Sequence, residues 1–184
     1  MRRVFALAAA AVVAVSGFAL ASPADAAAPY CGITWGSTDK ASWVSTLGPI
    51  TNVRAGEQDC YDRLVIDLNA PNGSAGYVVQ YVSQVTRDGS GDPVPLAGGA
   101  FLQITVFAPD YDVNTGAPVY RPADPNHLVN VTGYQTFRQV ADAGSFEAVT
   151  TIGLGVRARL PFRVLTLAGP GSGSRLVIDV ANFW

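Results

Sequence analysis

Arg63-Leu64-Val65-Ile66-Asp67-Leu68 and its near copy Arg175-Leu176-Val177-Ile178-Asp179-Val180 are two runs of β-branched and aliphatic residues with a charge near each end. Extended, the first run turns Leu64, Ile66 and Leu68 to one side and Arg63, Val65 and Asp67 to the other. One face is built for a core, and the other offers an Arg and an Asp that can pair with neighbours. The recurrence predicts two equivalent sheet positions in a β-sandwich of two similar halves. Working outward, further strands are expected over Tyr77 to Val85, Ala100 to Ala108, Gly133 to Ala141, Ser145 to Ile152 and Val156 to Leu167. Gly, Pro and Asp clusters separate them. No window keeps a 3.6-residue apolar period over three turns, so the fold class is all-β, a two-sheet sandwich with little helix.

Composition agrees. The 184 residues hold 19 Gly and 12 Pro, and Arg outnumbers Lys by 11 to 1 and Asp outnumbers Glu by 12 to 2. The two rare charged types are good helix formers, so their scarcity disfavours helices. Apolar residues crowd Met1 to Ala26, which has Arg2 and Arg3, an apolar run from Val4 to Leu20 and the small-residue end Ala24-Asp25-Ala26. This is the layout of a secretory signal peptide over 1–26, cleaved after Ala26 or Ala28. Beyond it, 10 basic and 13 acidic residues remain. That balance and an exported location exclude nucleic acid as a partner. No second apolar run exists to hold the cleaved chain in a membrane.

Cys31 and Cys60 are the only cysteines, and export favours their pairing. A Cys31 to Cys60 disulfide would tie an irregular segment, 27–50, to the start of the first strong strand, leaving 51–184 as the sandwich. Two distant thiols and the single His127 do not form a metal site. The oxygen-rich Asp110-Tyr-Asp112-Val-Asn114-Thr-Gly116 lacks the Gly and bidentate Glu of a calcium loop. No cofactor motif is present.

The residues carrying the most chemistry lie between Val156 and Val164. Read as one strand, this stretch puts Arg157, Arg159 and Arg163 on one face, with Pro161 marking an edge or bulge. Three guanidiniums there would bind carboxylates or anionic wall polymers, or else pair with the chain's many Asp side chains. Tyr134, Phe137 and Arg138 would extend the surface with stacking groups. For hydrolysis, Glu147 beside Phe146 is the best candidate acid, with Asp59, Asp62 or Asp142 as its partner. His127 in a turn and the absence of a G-x-S-x-G elbow leave no serine triad.

RLVIDL after a short polar lead resembles the strand signature of AMIN domains, the sandwich modules of secreted N-acetylmuramoyl-L-alanine amidases and of secretin-type envelope proteins. The chain is more similar still to actinobacterial AMIN-like secreted proteins and lipoproteins. The similarity runs through Cys31-Gly-Ile-Thr-Trp35-Gly36, Val53-Arg-Ala-Gly56, Asp59-Cys-Tyr-Asp-Arg-Leu-Val65, Gly133-Tyr-Gln-Thr-Phe-Arg138, Gly144-Ser-Phe-Glu147, Gly153-Leu-Gly-Val-Arg157 and Ser174 to Val180. The resemblance implies a non-catalytic module of the cell envelope that binds peptidoglycan or another wall glycan. Two other readings are a small wall hydrolase built on Glu147 and a protein-binding regulator of a separate wall enzyme. The second follows from a chain that ends at Trp184, just past its last strand.

Overall fold

The computed structural model describes residues 29–44 and 48–184; the expected signal peptide lies outside the described residues. Among the described residues there are nine strands: β1 (Lys40–Ser42), β2 (Ile50–Glu57), β3 (Tyr61–Leu68), β4 (Tyr77–Val82), β5 (Ala100–Val106), β6 (Phe137–Phe146), β7 (Val149–Val156), β8 (Phe162–Ala168) and β9 (Ser174–Ala181). They form two antiparallel sheets, β1-β4-β5-β7-β6 and β2-β3-β9-β8. The only helical turn described is the short 3-10 segment Tyr30–Gly32. The Cys31–Cys60 disulfide is formed. The all-β sandwich reading holds.

The core lies between the sheets. Leu64, Ile66, Leu176, Ile178 and Phe162 from one meet Val79, Leu102, Ile104, Ile152 and Leu154 from the other, each at most 1% exposed. Alternation dictates this, because each of these residues is on the inward phase of its strand.

The two copies of the repeat do not occupy matching places in two halves. They are antiparallel neighbours at the centre of the same sheet, in the register Arg63↔Asp179, Val65↔Val177 and Asp67↔Arg175. Reversing one copy against the other sets each Arg opposite the other copy's Asp on the outward face; Arg63 pairs with Asp179, whereas Asp67 pairs with Arg54 of β2.

Two expected boundaries are corrected. Gly133 to Ala141 and Ser145 to Ile152 are not separate strands broken at Asp142 to Gly144. A bulge between Asp142 and Gly144 carries β6 through to Phe146. The reversal falls instead at Glu147 and Ala148, with φ of 50° and 64°, the two positive angles of a type I′ hairpin turn. Val156 to Leu167 is likewise not one strand, since β7 ends at Val156 and β8 begins at Phe162 in the other sheet. Residues 157–161, containing the buried Pro161, cross between the sheets at one end of the sandwich.

The outer faces differ. Over the five-stranded sheet the 83–99 loop packs Val85, Val94 and Leu96 on Ala141 and Ala143. It lies so close that a Cβ at Gly155 would stand 1.9 Å from the Ala97 carbonyl oxygen. The outer face of the four-stranded sheet carries the charged rows.

Candidate functional site

The crossover is held rigidly. The Tyr81 hydroxyl donates to the Leu160 carbonyl at 2.7 Å and accepts from the Leu160 N–H at 3.0 Å. Burial pushes the Tyr81 phenol up to about 12, against smaller opposing effects of the bond to Leu160 and the charge on Arg159. Replacing Tyr81 with Phe strands both Leu160 groups and is expected to lower stability by about 2 kcal/mol. In the unfolded chain the phenol ionises near 10. Tyr81 therefore contributes fully below pH 10, and its contribution is lost as pH rises from 10 towards 12. Urea titrations at pH 8 and pH 11 should show a wild-type loss over that range that shrinks in Tyr81→Phe.

The three arginines do not form a stripe on one strand face, because the crossover separates them. Arg157 and Arg159 are exposed on the crossover itself. The Arg157 guanidinium donates to the Asn182 carbonyl and lies 5.8 Å from the Phe183 ring. Arg159 sits 4.6 Å from the Tyr81 ring centroid. Its carbonyl accepts from the Trp184 indole at 3.0 Å. Arg163, on β8, points from the outer sheet face and donates to Asp179 at 2.8 Å. Of the two roles open to the guanidiniums, Arg163 takes the Asp pairing through its Nε.

Around the crossover the segment before β1 and the residues after β9 build an aromatic groove of about 330 Å³, lined by Tyr30, Ile33, Trp35, Pro161 and Trp184. The Trp35 indole donates to the Tyr30 carbonyl at 2.9 Å, and Tyr30 meets Phe183 edge-on at 5.9 Å. The disulfide anchors this segment beside Tyr61, whose ring lies 5.9 Å from that of Trp35. Trp184 is 74% and Phe183 57% exposed. Large aromatic side chains left in water next to a groove make this end a candidate binding surface. The sequence reading missed these residues. The available signal was a Phe-Trp pair past the last strand together with Trp35 close to a cysteine.

Tyr134, Phe137 and Arg138 lie on the 127–138 segment, where they line a wider depression of about 620 Å³ with His127. Phe137 belongs to the core at 1% exposure, and Tyr134 stacks on it at 6.2 Å. Arg138 spends its guanidinium on the carbonyls of Tyr134, Gln135 and Phe137. This segment touches the crossover through its backbone, where the Arg157 N–H donates to the Thr136 carbonyl at 2.9 Å. Glu147 does not join either surface. It is exposed on the β6–β7 turn, and β6 has 10 residues, which sets it roughly 30 Å from Phe137. Of its candidate partners, Asp62 is fully buried, Asp59 is exposed and Asp142 uses a carboxylate oxygen to accept from the Gly144 N–H. The Asp110 to Gly116 stretch is a turn in which the Asp112 carboxylate accepts from the Asn114 and Thr115 N–H groups. Those two bonds hold the exposed Asp112 carboxyl below the usual range.

Comparison with known protein families matches residues 48–182 to the AMIN-like domain. No curated protein matches the chain. The matched span runs from just before β2 to just past β9, so it takes in every described strand except β1, the Arg63 and Arg175 repeat and the crossover. The chain belongs to the AMIN-like domain family.

Proposed function

We propose that this chain is an exported, non-catalytic module of the cell envelope that binds peptidoglycan or another wall glycan at the aromatic end of its sandwich. The observation that carries this is the groove between Tyr30, Trp35 and Trp184, with Arg157 and Arg159 beside it. A sugar ring presents an apolar C–H face and a rim of hydroxyls. Aromatic faces take the first, and guanidinium donors take the second. Family membership supports a wall-associated binding role over catalysis, and the position of Glu147 on an exposed hairpin turn favours the same reading.

The test is co-sedimentation with purified peptidoglycan. Wild-type protein should pellet with the wall fraction. Trp184→Ala, and separately Arg157→Ala with Arg159→Ala, should each weaken binding about 10-fold, the effect of losing roughly 1.4 kcal/mol at a contact. Wild-type protein that stays in the supernatant with every wall fraction would refute the proposal.

A further inference from the structure

We propose that Arg163 anchors a carboxylate-binding subsite beside the groove, and that the glycan it serves is an acidic one whose carboxylate is carried on the sugar. This rests on the glycan-binding reading and narrows it. The outer face of the four-stranded sheet holds two guanidiniums, Arg63 and Arg163, around one carboxylate, Asp179, which is 0% exposed. Arg63 takes both oxygens of Asp179, at 2.7 and 2.9 Å. Arg163 reaches the same carboxylate only through Nε, at 2.8 Å. Its two terminal nitrogens donate to nothing among the described residues. The cluster therefore keeps one unit of positive charge, on a planar fork with free N–H groups.

That fork is held in place. Its carbon lies 5.5 Å from the Trp35 ring centroid and 5.3 Å from that of Tyr61. Its side chain is 26% exposed. Rings near a guanidinium restrict its motion and thin its hydration, and two parallel N–H groups match the two oxygens of a carboxylate. Trp35 also lines the groove. A sugar seated there can place an attached carboxylate at Arg163, and this shared residue favours a sugar-borne carboxylate over one at a peptide end.

The experiment measures affinity by calorimetry for three probes: an oligomer of N-acetylglucosamine, a hexasaccharide alternating N-acetylglucosamine with glucuronate, and N-acetyl-D-alanyl-D-alanine. The acidic sugar should bind about 10-fold tighter than the neutral one, as expected for one charge-assisted pair, and the preference should shrink at high salt. Arg163→Gln should abolish the preference, so that the variant binds the acidic and the neutral sugar with equal affinity. Arg163→Lys keeps the charge on Asp179 paired but removes the fork, and should lose most of the preference. The Arg63 pair with Asp179 survives in both variants, and thermal melts check that both are folded. Equal affinity for the two sugars overturns the inference while leaving glycan binding intact. So does a preference that survives Arg163→Gln in a folded protein, or a dipeptide that binds as tightly as the acidic sugar. If neither sugar binds while the protein still pellets with peptidoglycan, the subsite is overturned and wall binding stands; if the protein also pellets with no wall fraction, glycan binding fails as well.

Discussion

Replacing Asp179 with alanine is expected to lower stability by about 3 kcal/mol, a fall in Tm on the order of 10 °C for a domain of this size. Asp179 is fully buried and is the counter-charge for both Arg63 and Arg163. Without it, two guanidiniums on β3 and β8, the strands that flank β9, would face one another across the position where their partner stood. Breaking a buried pair by removing one member typically costs 3–5 kcal/mol. The figure here sits at the low end because the arginines are 29% and 26% exposed and can turn partly to water. Asp179→Asn should cost less, since its amide oxygen still accepts from one arginine while its NH2 meets the other. Adding Arg163→Met to Asp179→Ala should recover part of the loss by removing the like-charge contact. Urea denaturation with an unchanged m-value is the measurement. A loss below about 1 kcal/mol, the range of an exposed pair, would show that the cluster carries little stability.

This cluster also marks how far the sequence could be read. The strand Tyr61–Leu68 and the pairing capacity of its Arg and Asp were legible, because alternation and charge are local properties. That the second copy lies alongside the first, reversed, was not, because register is set by long-range packing. β2 escaped notice for a local reason. Ile50–Glu57 is an edge strand whose only fully buried residues are Ile50 and Val53, so its apolar signal is thin. The stretch from Arg157 to Arg163 misled in the opposite way. Its alternation is real, but the buried Pro161 ends the extended run where the chain changes sheets. The groove could not be read from any window. Tyr30 and Trp35 meet Trp184 only because the disulfide and the end of β9 bring the segment before β1 and the residues after β9 to the crossover.

What fixes that end of the sandwich predicts the second large effect. Asp62→Ala should lower stability by about 3 kcal/mol and weaken wall binding as well. Asp62 continues the inward row of Leu64, Ile66 and Leu68 and is 0% exposed. Its Oδ2 crosses to the other sheet and accepts from the Thr136 N–H at 2.6 Å and the Phe137 N–H at 2.8 Å, where β6 begins. The Thr136 hydroxyl donates to the Asn182 side chain at 3.0 Å, and the Asn182 amide donates to the Asp59 carbonyl at 3.1 Å. Through Thr136 and Asn182 this network reaches both the backbone and the guanidinium of Arg157. The charge of Asp62 is felt nearby as well: burial raises the Tyr134 phenol first, and Asp62 and Glu57 raise it further. Alanine at position 62 leaves two buried N–H donors unpaired, at about 1–3 kcal/mol each. Against this, Oδ1 is buried and accepts no bond among the described residues, so alanine also removes an incompletely satisfied carboxylate. That offset holds the expected loss in the lower half of the range that two such donors set. Asp62→Asn should cost about half as much, because a neutral oxygen can still accept both bonds, more weakly. The comparison is Asp67→Ala, which breaks a pair with a half-exposed Arg54 and should cost at most about 1 kcal/mol. Denaturation should rank the variants Asp62→Ala, Asp62→Asn, Asp67→Ala from most to least damaging. Pelleting with peptidoglycan should fall in Asp62→Ala at temperatures where it remains folded, because Arg157 and the groove lose the support that positions them.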